Sequence, residues 1–159
     1  MRILEQFYVP SIRQAKKAVK HIPSFTKARV ISVYDGDTFT IARKESIWWR
    51  SKIYTYKVRL YGIDCPELRG STSEEKYYAV KAKEVVEALV LNKSVKLEIH
   101  GYDKYGRILA NVRTNNLNIS EHLIGLGLGV PYYGKAKQIV DWKLLYNSKN
   151  PGSMIETVK

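Results

Sequence analysis

Residues 27 to 67 read KARVISVYDGDTFTIARKESIWWRSKIYTYKVRLYGIDCPE, and this stretch sets the expectation for the fold. β-Branched and aromatic residues concentrate in Arg29–Val33, Thr38–Ala42 and Tyr54–Tyr61, the residue types that fit a pleated, half-buried surface. Asp35-Gly36 stands between the first two runs, a dipeptide suited to a tight hairpin turn. Gly62 follows the third run, where a glycine within a strand pattern marks a bulge or corner.

On the C-terminal side, Ser71, Thr72 and Ser73 precede Glu74 and Glu75 as in a capping box. Ala79, Ala82, Val86, Leu89 and Val90 then recur at helical spacing as far as Asn92. Two further strands are predicted at Val95–Ile99 and Ile108–Arg113, joined by the polar turn Tyr102-Asp103-Lys104-Tyr105-Gly106. A second helix is predicted to start at Asn118, with Glu121 three residues on, and to weaken at Gly125, Gly127 and Gly129. A third is predicted from about Lys135 to Tyr146, with Pro151-Gly152 ending regular structure. Three strands, a helix, two strands and then helices is the element order of an α+β, mainly β fold. The expected architecture is a five-stranded Greek-key OB-fold barrel with about three packed helices.

On the N-terminal side the charge changes. The first 30 residues hold Arg2, Arg13, Lys16, Lys17, Lys20, Lys27 and Arg29 against Glu5 alone, a net +6 and half of the chain's +12. Residues 1–26 are therefore read as a basic arm, with a short helix opening at Pro10-Ser11 and running through Lys20. Residues 27–147 form the barrel domain and 148–159 a tail. At 159 residues and 45% hydrophobic content, one domain with a real core is expected. So basic a surface attracts polyanions, and nucleic acid is the expected partner. No run of 18 apolar residues exists and MRILEQFYVP has no apolar signal core. The expectation is a soluble monomer, not exported, intracellular and without membrane contact. With one cysteine, Cys65, and only His21, His100 and His122, there is neither a disulfide nor a zinc-type cluster, so any metal must be held by oxygen.

Three short segments set carboxylates and arginines beside turn residues: Asp35-Gly36-Asp37-Thr38, Arg59 to Glu67 (RLYGIDCPE) and Asp103 to Arg107 (DKYGR). A hard divalent cation is held by oxygen ligands, so paired aspartates can supply part of such a site and leave other positions open. Arginine forks meet phosphate oxygens bidentately and keep their protons. A glutamate can take a proton from water, and Pro66 restricts the backbone ahead of Glu67. On an unbroken strand, Arg59 and Asp64 would point to opposite faces. The bend expected at Gly62 is what would let them converge.

In this order and at about this spacing, the three segments resemble the staphylococcal thermonuclease family. The resemblance covers about Lys27 to Trp142 and includes the later GLG followed by Val130-Pro131-Tyr132-Tyr133. It implies a calcium-dependent nuclease that hydrolyses phosphodiester bonds of DNA, RNA or both. It also implies that Asp37 and Asp64 bind the calcium, that Cys65 contributes its backbone carbonyl, and that Thr38 lies beside the metal. Arg59 and Arg107 match the catalytic arginines and Glu67 the general base. Lys104, Tyr105 and one of Tyr132 or Tyr133 match positions near the bound nucleotide. Cys65 stands where the best-known members have threonine, a change that a carbonyl ligand tolerates.

Each residue also has a plainer reading. Asp37 can cap a hairpin turn, Arg59 can sit in a structural ion pair, and Glu67 and Arg107 can be solvated. All must hold in three segments together to displace the resemblance. Cys65 is not expected as a nucleophile, since no histidine lies near it in sequence. His100 and His122 are expected to pack or face solvent. Of Trp48 and Trp49, one could stack on a base and the other pack inward. The competing function is a catalytically inactive OB-fold nucleic-acid-binding module. Such modules tend to lose the residues present here at 37, 59, 64, 67 and 107.

Overall fold

The computed structural model describes residues 9–18, 21–47, 50–134 and 136–151. Helix α1 spans Ile12–Ala15; strands β1 Lys27–Asp35, β2 Thr38–Ile47, β3 Arg50–Leu60 and β4 Ile63–Asp64 follow. Then come α2 Ser73–Val90, β5 Ser94–Tyr102, β6 Ile108–Thr114, β7 Leu117–Asn118, α3 Ile119–Gly125, β8 Val130–Pro131 and α4 Trp142–Lys149. Strands β1, β2, β3, β5 and β6 close a mixed barrel, the OB-type α+β architecture expected from the element order. Closure comes from a parallel pairing of β3 with β6, which sets Arg59 opposite Leu109. All other strand pairs are antiparallel.

The core follows from strand alternation. Val30, Phe39, Ile41, Val58, Ile108, Ala110 and Val112 point inward and are buried. Helix α2 lays Tyr78, Ala79, Ala82, Val86 and Val90 against the barrel, each buried valine contributing roughly 1.5–3 kcal/mol. Thr72 caps this helix by accepting from the Glu75 N–H at 3.0 Å. Its approach positions the β1–β2 turn: a Cβ built on Gly36 would lie 2.7 Å from Ala82 Cβ and 3.2 Å from Cys65. No larger residue fits there, so the turn carrying Asp37 is seated on the helix.

The β2–β3 hairpin is longer than predicted, pairing without a break from Thr38↔Arg59 to Ile47↔Arg50. Lys44, Glu45, Ser46 and Lys52 have little intrinsic strand preference; cross-strand pairing extends the ladder through them. The Tyr56 hydroxyl donates to Glu45 Oε1 at 2.7 Å across it. Trp48 and Trp49 lie outside the described residues.

Two helix expectations are corrected. The N-terminal helix has a capping box between Ser11 and Gln14 but covers only Ile12–Ala15. It buries no side chain, and a four-residue helix without a packed face does not propagate. The last helix starts at Trp142, not near Lys135. Asp141 caps it by accepting from the Leu144 N–H. Ala136 and Ile139, apolar residues of the expected helix, are both exposed in an irregular segment. Burial of Trp142 and packing of Leu145 and Tyr146 on the core decide where the helix begins. The second helix begins as expected, with the Asn118 side chain accepting from Ser120 and Glu121.

Candidate active site

The parity problem between Arg59 and Asp64 is resolved at a turn of Tyr61 and Gly62. Gly62 has φ +76°, and a Cβ there would sit 3.2 Å from the Tyr133 ring, so both conformation and space favour glycine. Beyond the turn, β4 pairs with β8, and Asp64 comes back toward the guanidinium of Arg59. Arg59 Nη1 lies 2.6 Å from Asp37 Oδ2 and Nη2 lies 2.9 Å from Asp64 Oδ1. One guanidinium therefore gathers a carboxylate from the β1–β2 turn and another from β4. Asp37 is 3% exposed and Asp64 8%.

Thr38 links this cluster to the third segment. Its hydroxyl donates to Asp37 Oδ1 at 2.7 Å and accepts from Arg107 Nη1 at 3.2 Å. Arg107 is aimed by Asp103, which accepts from Arg107 Nε at 2.6 Å, from its backbone N–H at 2.9 Å, and from the Tyr105 N–H at 2.8 Å. Burial works against the Asp103 carboxylate, but these bonds from Arg107 and Tyr105 hold it below the usual value. Lys104 and Arg107 both lie over the exposed Tyr105 ring, at 5.0 and 5.5 Å from its centroid.

A cleft of about 540 Å³ opens beside these groups. Its walls include Arg59, Asp64, Glu67, Lys104, Arg107 and Lys137, with Tyr61, Tyr105, Tyr132 and Tyr133. Both tyrosines between which the sequence could not choose line it. Tyr132 donates its N–H to the Gly62 carbonyl, and the Tyr133 ring meets Tyr61 edge-on at 5.8 Å. Cys65 does not face the cleft; its side chain is 3% exposed in the core, and burial pushes its thiol well above the ordinary value. That makes it a poor nucleophile.

Burial pushes the Asp37 carboxyl up to about 7 despite the opposing pull of Arg59, with Asp35 adding to the rise. The native state thus holds this proton more tightly than the unfolded chain, whose value is near 3.8. In metal-free protein the stability linked to this proton is fully present below pH 3.8 and is lost as pH rises through about 7. Asp37→Asn, in chelator, is expected to gain stability relative to the parent as pH rises across that window. Urea denaturation at several pH values checks this, and a parent-variant difference that does not change with pH would contradict it.

Residues 57–149 match the family described as "Staphylococcal nuclease homologue". The chain belongs to that family. Among curated relatives, a probable endonuclease of Yarrowia lipolytica is 29% identical over 126 residues, covering 67% of this chain and 56% of the relative. An uncharacterized endonuclease of Haemophilus influenzae is 33% identical over 104 residues, covering 65% of this chain and 51% of its own length. A probable staphylococcal-like nuclease of rice is 28% identical over 99 residues, 61% of this chain and 25% of that protein. The chain thus spans about half the length of the fungal and bacterial relatives and a quarter of the rice protein.

Of the site residues expected from the resemblance, Asp37, Thr38, Arg59, Asp64 and Arg107 form one connected network. Glu67 stands apart from it, joined through Lys137, whose Nζ is 2.5 Å from Glu67 Oε1 and 3.3 Å from Asp64 Oδ2. Lys137 was missed in the sequence, as was the Tyr61–His100 ring stack at 4.2 Å beside the cleft. Nothing near Lys137 in sequence distinguishes it from the other lysines; only the tertiary contact does.

Among the described residues, no group of three or more His, Cys, Asp or Glu side chains converges as a metal cage. The donors nonetheless suit a hard cation. Asp37 and Asp64 offer carboxylate oxygens drawn to a common guanidinium, with no thiolate or imidazole in the set. An ion held by two carboxylates keeps positions open for water and substrate, which a closed cage would not.

Proposed function

We propose that this chain is a calcium-dependent nuclease that hydrolyses phosphodiester bonds of DNA, RNA or both. The observation that carries the reading is the convergence of Asp37, Asp64, Arg59 and Arg107, from three segments of the chain, beside a cleft lined by cations and tyrosines. Family membership and the endonuclease names of its relatives support it.

In this reading Asp37, Asp64 and the Cys65 carbonyl hold the calcium, with Thr38 beside it. Bound there, the ion would supply positive charge against the charge that builds as the phosphodiester is attacked. Arg59 and Arg107 donate to the equatorial phosphate oxygens as charge builds there, and neither has to lose a proton to do so. Glu67 takes the proton of the water as its oxygen bonds to phosphorus, and the phosphorus–ester oxygen bond breaks with the departing oxygen taking up a proton from solvent water. Lys104, Tyr105, Tyr132 and Tyr133 hold the nucleotide by charge and stacking. The basic arm adds salt-dependent affinity and no chemistry. No helix among the described residues is long and apolar enough to cross a membrane.

Single-stranded DNA, duplex DNA and RNA digested with calcium, with zinc and with excess chelator provide the test. Cleavage is expected with calcium only, because every donor is a hard oxygen. Robust turnover in zinc or chelator would remove the calcium assignment. Tight binding of nucleic acid without calcium-dependent cleavage would replace the nuclease by the binding module.

A further inference from the structure

We propose that Lys137 is a resident counter-ion of the carboxylate site, which a divalent cation displaces from Asp64 on binding, so that this lysine sets the site's cation affinity. The inference rests on the reading of Asp37 and Asp64 as cation ligands.

Consider the four oxygens of that pair. Asp37 Oδ1 accepts from Thr38, and Asp37 Oδ2 and Asp64 Oδ1 are held by Arg59. Asp64 Oδ2 is in contact with the Lys137 ammonium. With Asp35 and Glu67 close by and Arg107 paired with Asp103, the site gathers more carboxylates than Arg59 can neutralise, and Lys137 supplies charge where a metal ion otherwise would.

The two cations differ in how easily they can leave. Arg59 is on β3, its side chain only 17% exposed, and it reaches both aspartates at once. Its removal would strand two buried carboxylates, which is strongly unfavourable. Lys137 is on the irregular segment ahead of α4, its side chain 45% exposed, on a flexible four-carbon stem. Its ammonium can swing into water with its hydration restored. An arriving divalent ion therefore meets one fixed cation and one exchangeable one.

Lys137 also holds Glu67 Oε1, on a side chain 58% exposed. Displacement of the ammonium from Asp64 loosens its hold on that carboxylate too. Loading the cation and freeing Glu67 to meet water become one event, with Lys137 as the shared partner.

The test uses the full chain, its Lys137→Met and Lys137→Arg variants, and calcium alone as ligand, with affinity read by isothermal titration calorimetry at low ionic strength. Removing a half-exposed competing charge is expected to tighten calcium binding about tenfold in Lys137→Met. Lys137→Arg, which keeps the charge, is expected to stay near the parent. In Lys137→Met the rise in Tm on adding calcium is expected to exceed that of the parent. Circular dichroism establishes that each variant is folded. Parental or weaker calcium affinity in folded Lys137→Met overturns the inference, and so does equal tightening in both variants, since charge would then not be the cause. If calcium fails to bind the parent, the reading of Asp37 and Asp64 as ligands falls and takes this inference with it. Binding to the parent that Lys137→Met leaves unchanged removes the inference alone.

Discussion

Glu67→Gln is expected to lower turnover at saturating substrate by roughly 10²- to 10⁴-fold, the range over which a positioned general base acts. Glutamine is nearly isosteric and keeps an oxygen for Lys137, but it cannot take the proton of an attacking water. The Glu67 backbone N–H is held by Glu75 Oε1 at 3.3 Å, independently of its side chain. The loop should therefore keep its course, and stability should change by no more than about 0.5 kcal/mol. Substrate binding should be close to the parent's. Steady-state kcat and KM, with urea denaturation of the same preparations, check the split. Near-parental kcat in folded protein would remove Glu67 from the chemistry.

Arg107→Lys is expected to lower kcat by roughly 10²- to 10³-fold while KM changes little. Lysine keeps the charge and so the long-range attraction for phosphate, but a single ammonium cannot reproduce the fork. In this structure that fork has two fixed uses: Nε to Asp103 and Nη1 to Thr38. Asp103 also accepts the backbone N–H groups of residues 105 and 107, so the turn survives the change. The loss of one side-chain bond should cost about 1 kcal/mol. If phosphate attraction were all that Arg107 contributed, the lysine variant would serve nearly as well, and kcat would hold. The same kinetic and denaturation measurements decide between these outcomes.

Much of the fold was legible because its signals are local. Capping residues before α2 and α3, apolar recurrence along α2, and the turns DGDT and DKYGR all act through near neighbours in the chain, where side chain and backbone meet with little loop entropy to overcome. Even the bend that turns Asp64 toward Arg59 could be placed, since glycine at 62 tolerates a positive φ that other residues resist. The α4 boundary was not legible. Ala136 and Ile139 are apolar, yet nothing buries them, and helix formation follows the burial of Trp142.

The amino-acid sequence by itself determined the class of fold and the family, and it singled out the five residues Asp37, Arg59, Asp64, Glu67 and Arg107 to which the proposal gives the chemistry. Only the tertiary structure decided which of them meet and through what. The parallel closure of β3 on β6 joins Arg107 to Thr38, 69 residues away. The return of the chain past β8 sets Lys137 on Asp64 and on Glu67, 70 residues away. Contacts at such separations leave no periodicity in the chain, because they depend on how completed elements pack and not on the preferences of neighbouring residues.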